Sequence, residues 1–134
     1  MITIDFETYY SKKYKLGKLT TEEYIRGDMF EVVGVAVKSS SSQPQWFSGT
    51  HKQTKEFLHS FTWDETLLAH NTRFDGAILN WVFGIKPKRF VDTMLLSSYV
   101  FGTNVSHSLA NLSLRLGIGK KGTEVEDALG KHRK

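Results

Sequence analysis

The chain has 134 residues, enough for one domain whose core needs no covalent or metal staple. It contains no cysteine, which excludes a disulfide framework and Cys-ligated zinc and fits a reducing compartment. Lys and Arg outnumber Asp and Glu by 18 to 14, an excess too small to separate a nucleic-acid surface from ordinary solvated loops. The opening MITIDFETYY lacks a basic n-region ahead of an apolar stretch, and no apolar run approaches the ~20 residues that cross a bilayer. The expectation is a soluble, cytoplasmic protein with no membrane partner.

Residues 1–7 alternate, with Ile2, Ile4 and Phe6 on one face and Thr3, Asp5 and Glu7 on the other, which predicts a strand. A basic, Tyr-rich excursion with Lys12, Lys13, Lys15 and Lys18 leads to Leu19–Tyr24, read as a short capped helix. Residues 30–37 are apolar on both faces and β-branched, as in a central strand, and Ser39 to Ser42 turns the chain into Gln45-Trp46-Phe47 to make a hairpin. Lys52 to Phe61 reads as an amphipathic helix and Thr66–Ala69 as a buried strand. Phe74, Ala77, Ile78, Trp81 and Val82 recur at helical spacing, with Asn71 as N-cap and Gly84 as a left-handed stop. Phe90-Val91 predicts a last short strand, Asp92 the cap of a helix carrying Met94, Leu95 and Leu96, and Leu109–Leu116 a final helix ended by Gly117. Three β runs followed by alternating α and β predict a single α/β domain over 1–134, with an antiparallel hairpin beside parallel strands.

Asp5 and Glu7 leave the same face of one strand, so their carboxylates can converge on a hard divalent cation such as Mg²⁺. Asp is depleted in strands, and no Lys sits nearby on that face. Asp75, in the first turn of its helix, would by itself be an ordinary dipole-stabilising acid worth ~0.3–1 kcal/mol.

The order of these pieces carries more than each alone. Asp5-Phe6-Glu7-Thr8 on the first strand, then Asn71-Thr72-Arg73-Phe74-Asp75 opening a helix, resembles the first two motifs of the DEDD (DnaQ-like) 3′–5′ exonucleases, Asp-x-Glu and Asn-x-x-(Phe/Tyr)-Asp. Val91-Asp92-Thr93, Leu109-Ala110-Asn111-Leu112 and Leu116-Gly117-Ile118 extend the likeness. Asp5 to Tyr10 followed by Leu16-Gly17 is similar to the proofreading domain of bacteriophage family A DNA polymerases.

The resemblance implies a ribonuclease-H-like five-stranded mixed sheet flanked by helices, and two-metal phosphodiester hydrolysis at single-stranded DNA 3′ ends. The two cations, Mg²⁺ or Mn²⁺, would lie ~3.5–4 Å apart. It assigns Asp5, Glu7 and Asp75 as metal-binding catalytic acids, with Thr8, Asn71 and Phe74 at the terminal nucleotide and His70 structural. It also implies the remainder of a DNA polymerase as partner, and the host cytoplasm as location if the gene is a bacteriophage's. An RNA-trimming enzyme of the same fold and a non-catalytic nucleic-acid-binding or assembly fragment are the competing readings.

The family's fourth acid, in Tyr-x-x-x-Asp or His-x-x-x-x-Asp on a late helix, does not follow Gly117. Tyr24 to Asp28 spells the first form ahead of the second motif, and His70 to Asp75 spells the other within it; both are decoys. The chain is expected to be an exonuclease domain incomplete at its C-terminus and weak or inactive alone, with Glu124, Glu126 and Asp127 as stand-ins that no spacing favours.

Overall fold

A computed structural model of the chain describes residues 1–120 and 129–133. Five strands, β1 (Ile2–Thr8), β2 (Val32–Ser39), β3 (Gln45–Phe47), β4 (Thr66–Ala69) and β5 (Arg89–Asp92), form one sheet in the order β3-β2-β1-β4-β5. β1 pairs antiparallel with β2 and β2 with β3, while β4 runs parallel to both β1 and β5. The expected mixed sheet is therefore present, with β1 at its centre. The alternation in β1 does what its period requires: Ile2, Ile4 and Phe6 are buried, Asp5 is exposed and Glu7 half-buried.

β1 pairs with β4 only through Ile2 and Thr3, so the second half of β1 outruns its parallel neighbour. The β1–β2 ladder also shifts register between Glu7 and Thr8, an irregularity that turns side chains at the strand's exit. Both features leave the carboxyl end of β1 open for a site, beside the end of β4. Crevices at the carboxyl ends of parallel strands are where open α/β sheets bind ligands.

Two helices start on full capping boxes: α1 (Thr21–Arg26) on Thr20 with Glu23, and α2 (His51–His59) on Thr50 with Gln53. Leu58 of α2 is fully buried against the sheet. α4 (Thr93–Phe101) and α5 (Leu109–Arg115) match their predicted positions, and α5 stops ahead of a left-handed Gly117.

The predicted helix over 74–82 departs from expectation. α3 (Thr72–Ala77) gives way to a π-helical turn over Ile78–Val82, closed by left-handed Gly84. The wider turn brings Ile78, Leu79 and Phe83 all into the core and swings Trp81, expected on the buried stripe, out to 42% exposure. Apolar spacing at 3.6 residues cannot register an inserted residue in the turn.

Asn71 is a second correction. It stands at φ 77°, in the left-handed region, and its side chain caps nothing. The capping oxygens come instead from Asp92 at the end of β5. Oδ1 accepts from the Asn71 N–H at 3.0 Å, and Oδ2 from the Thr72 N–H at 3.0 Å and the Thr72 hydroxyl at 3.1 Å. A cap supplied from a different strand leaves no local pattern to read.

Candidate active site

α3 starts where β4 ends, and its first turn lies against the open half of β1. The Phe6 N–H, which has no β4 residue opposite it, donates to Asp75 Oδ1 at 2.9 Å. That one bond places Asp75 between the two acids that flank Phe6. Asp75 is 3% exposed, and burial pushes its carboxyl up to about 7. The Phe6 N–H opposes the rise, while the negative charges of Asp5 and then Glu7 add to it.

Asp5, Glu7 and Asp75 therefore share one electrostatic field. An acid kept partly protonated by burial, and further by two neighbouring acids, is a place where a divalent cation can replace the proton. Hard carboxylate oxygens are the donors Mg²⁺ and Mn²⁺ take, so this donor set fits such ions. Among the described residues no three His, Cys, Asp or Glu side chains converge closely enough to cage an ion unaided. Glu124, Glu126 and Asp127 lie outside the described residues.

Beside the acids is a cleft of about 350 Å³ lined by Glu7, Thr8, Tyr10, Lys15, Leu16 and Phe74, with Tyr24 in its wall. Thr8 is oriented by a defined proton order. The Tyr24 hydroxyl donates to the Tyr9 carbonyl at 2.5 Å, so it accepts from the Thr8 hydroxyl at 2.8 Å. Tyr24 is 2% exposed, and burial raises its pKa, with the Thr8 bond acting against the rise. It is a structural anchor, and Asp28, its partner in the decoy motif, is exposed. Phe74 leans on Tyr24 with ring centroids 6.0 Å apart.

Of the expected substrate contacts, Thr8 and Phe74 meet Glu7 on this cleft, whereas Asn71 faces a larger one on the other flank of α3. His70 is structural here: Nδ1 lies 2.9 Å from the Thr93 hydroxyl and Nε2 donates to the His107 carbonyl at 2.7 Å. Lys15, one of the basic residues between Lys12 and Lys18 that the resemblance offers as phosphate contacts, lines this cleft, whereas Tyr10 and Leu16 carry no site reading from the sequence.

The 3′–5′ exonuclease family model matches residues 9–128, beginning just after Asp5 and Glu7. The chain belongs to this family. Solved structures that share the exonuclease's fold include Brucella melitensis NrnC with bound Mg²⁺, at TM-score 0.66 and 19% identity over 91% of this chain and 55% of that one. Trypanosoma brucei RNase D in complex with RNA U12 superposes at TM-score 0.66 and 14% identity, over 96% of this chain and 43% of that one. Brucella melitensis NrnC bound to pGG gives TM-score 0.63 and 18% identity over 90% and 54%. Identities this low show the fold alone, the ribonuclease-H-like mixed sheet that the motifs implied. The exonuclease spans about half the length of these structures. No curated protein matches the sequence.

Proposed function

We propose that this exonuclease domain removes nucleotides from single-stranded DNA 3′ ends with two divalent cations held by Asp5, Glu7 and Asp75. The observation that carries the reading is the buried Asp75 carboxyl, fixed by the Phe6 N–H and pushed up to about 7 beside Asp5 and Glu7. When bound, the cations would polarise the phosphate and lower the pKa of an attacking water. The remaining work falls to the chain itself.

The cleft beside Glu7 is at the lower end of the ~300–1,000 Å³ typical of ligand sites, matching one terminal nucleoside. Phe74 and Leu16 offer apolar faces to a base, and Thr8 keeps lone pairs for a sugar hydroxyl because its own proton goes to Tyr24. Lys15 supplies a counter-charge for the phosphate. An unpaired end enters such a cleft without the cost of melting a duplex.

The proofreading partner, the remainder of a DNA polymerase, belongs to the same proposal and rests on the likeness of Asp5–Tyr10 and Leu16-Gly17 to that domain. RNA ends are the second reading, supported by the fold shared with an RNase D solved with RNA U12.

The test uses 3′-labelled DNA and RNA strands of one sequence, with Mn²⁺ or Mg²⁺. Metal-dependent shortening of DNA ahead of RNA, lost with EDTA and in Asp5→Ala, is expected. Faster shortening of RNA would transfer the assignment to the second reading. Mn²⁺ titration that leaves the protein unchanged would remove the metal mechanism and favour a non-catalytic nucleic-acid-binding domain.

A further inference from the structure

A cleft of about 650 Å³ lies on the other flank of α3 from the acids' cleft. Its walls are aromatic and apolar, with Trp81 and Phe90 foremost, and Arg73, Lys86, Asn71 and Asn80 stand around them. We infer that this cleft binds the single strand upstream of the terminal nucleotide, as a stacking platform bordered by phosphate-binding cations. The inference rests on the nucleic-acid reading above and extends it to a second site.

Three observations carry it. The aromatic rings are presented to solvent by the backbone rather than left over from the core. The π turn swings Trp81 outward, and Phe90 is 54% exposed although it sits in a sheet strand. Phe90 is also held in place: its ring packs on Gly76, where a Cβ would come within 3.0 Å of the ring. A side chain at position 76 would need that ring to give by a few tenths of an ångström.

The charge is complementary to a polyanion. Among the described residues, Arg73 and Lys86 make no ion pair, while Arg26, which lies over the Trp81 ring at 4.6 Å, is paired with Glu22 at 3.1 Å and adds little free charge. The one acid in the cleft wall, Asp92, has both oxygens taken by the N–H groups of α3 and α4 and by Thr72. It contributes little free accepting capacity.

The polar groups are also uncommitted. The side-chain amides of Asn71 and Asn80 have no hydrogen-bond partner among the described residues, and each offers a donor and an acceptor to base edges or phosphates. Aromatic faces interleaved with cations form the general platform for single strands, where base stacking tolerates any sequence.

The test measures binding of labelled DNA by anisotropy in EDTA, comparing a dinucleotide with a 12-mer. Wild type, Phe90→Ala, Lys86→Glu, their double variant and a Lys86→Arg control are compared, with thermal melts to show that each is folded. The double variant is expected to weaken the 12-mer by at least about tenfold while leaving the dinucleotide unchanged, and Lys86→Arg should retain most 12-mer affinity. In a further variant, Lys86→Gln, which removes one charge without reversing it, the slope of log affinity against log salt should become shallower by about one.

Unchanged 12-mer binding in the folded double variant would overturn the inference while leaving the nuclease reading intact. Equal loss for both lengths would also overturn it, because the acids' cleft would then have been damaged. A wild type that binds neither length would overturn both readings. Concentration-dependent self-association of wild type that the double variant loses, with 12-mer affinity unmoved, would assign the cleft to a second copy of the chain instead.

Discussion

Asp75 joins two roles whose pH dependences oppose each other. Its carboxyl titrates near 7 in the fold against 3.8 when solvated, so the folded state prefers the protonated acid. The stability this gives is fully present below about pH 4 and is lost as pH rises through about 7. Asp75→Asn keeps an oxygen for the Phe6 N–H but cannot ionise. In EDTA, the stability of Asp75→Asn relative to wild type should therefore grow between pH 4.5 and pH 8, by on the order of a few kcal/mol. Urea melts at a series of pH values measure this, and curves that stay parallel would contradict the shared field of the three acids. Adding Mn²⁺ at pH 8 should raise the stability of wild type and not of the Asn variant, since only a carboxylate exchanges its proton for the ion.

Asp92 does for the helices what Asp75 does for the site. It caps α4 locally, accepting from the Met94 N–H at 2.9 Å, and caps α3 from across the sheet. Burial alone would raise its pKa, but the N–H donors of Asn71 and Met94, the Thr72 side chain and the Leu95 N–H together hold it below the usual value. Asp92→Ala leaves the N-termini of both helices without these acceptors. It should cost about 2–4 kcal/mol, roughly two caps with charge-assisted bonds, and Asp92→Asn should recover part of that. A cost near 1 kcal/mol in denaturant melts would mean that only one helix depends on it. Local cues in the sequence were enough for the β1 alternation, the capped start of α1 and the Asp92 cap of α4, because each is written in adjacent residues. The cap that Asp92 lends to α3, the left-handed Asn71 and the π turn were not legible, since each depends on a partner or a ladder geometry elsewhere in the fold. The site divides along the same line. Asp5 and Glu7 could be placed on one face from strand period, and Asp75 was joined to them only by the family resemblance, whereas the division of Asn71 from Thr8 and Phe74 between two flanks of α3 required the packing itself.

Across the whole molecule, the segment 129–133 returns to the strand that carries the acids. His132 stacks on Tyr9 with ring centroids 4.1 Å apart, and its Nδ1 lies 2.9 Å from Glu31 Oε2. The Arg133 N–H donates to Glu31 Oε1 at 2.8 Å, and the Gly130 N–H to the Tyr10 carbonyl at 2.9 Å. Burial works against the Glu31 carboxylate, and the contacts with His132 and Arg133 outweigh it, leaving its pKa lowered. Glu31 thus ties residues about a hundred positions apart, and its backbone carbonyl also receives the Tyr9 N–H just past Thr8. Because the ion pair is exposed, its contribution to global stability should be below ~1 kcal/mol, and a melting curve is a poor probe of it. Amide hydrogen exchange resolves the clasp directly. Glu31→Ala removes both side-chain acceptors while keeping the backbone bond to Tyr9, so the Arg133 amide should exchange about tenfold faster or more. The Ile4 amide, inside the β1–β2 ladder, should keep its wild-type rate. An Arg133 amide that exchanges at the same rate in both proteins would show that the returning segment is held by the Tyr9 ring and the Gly130 N–H, and Tyr9→Ala would then be the substitution that releases it.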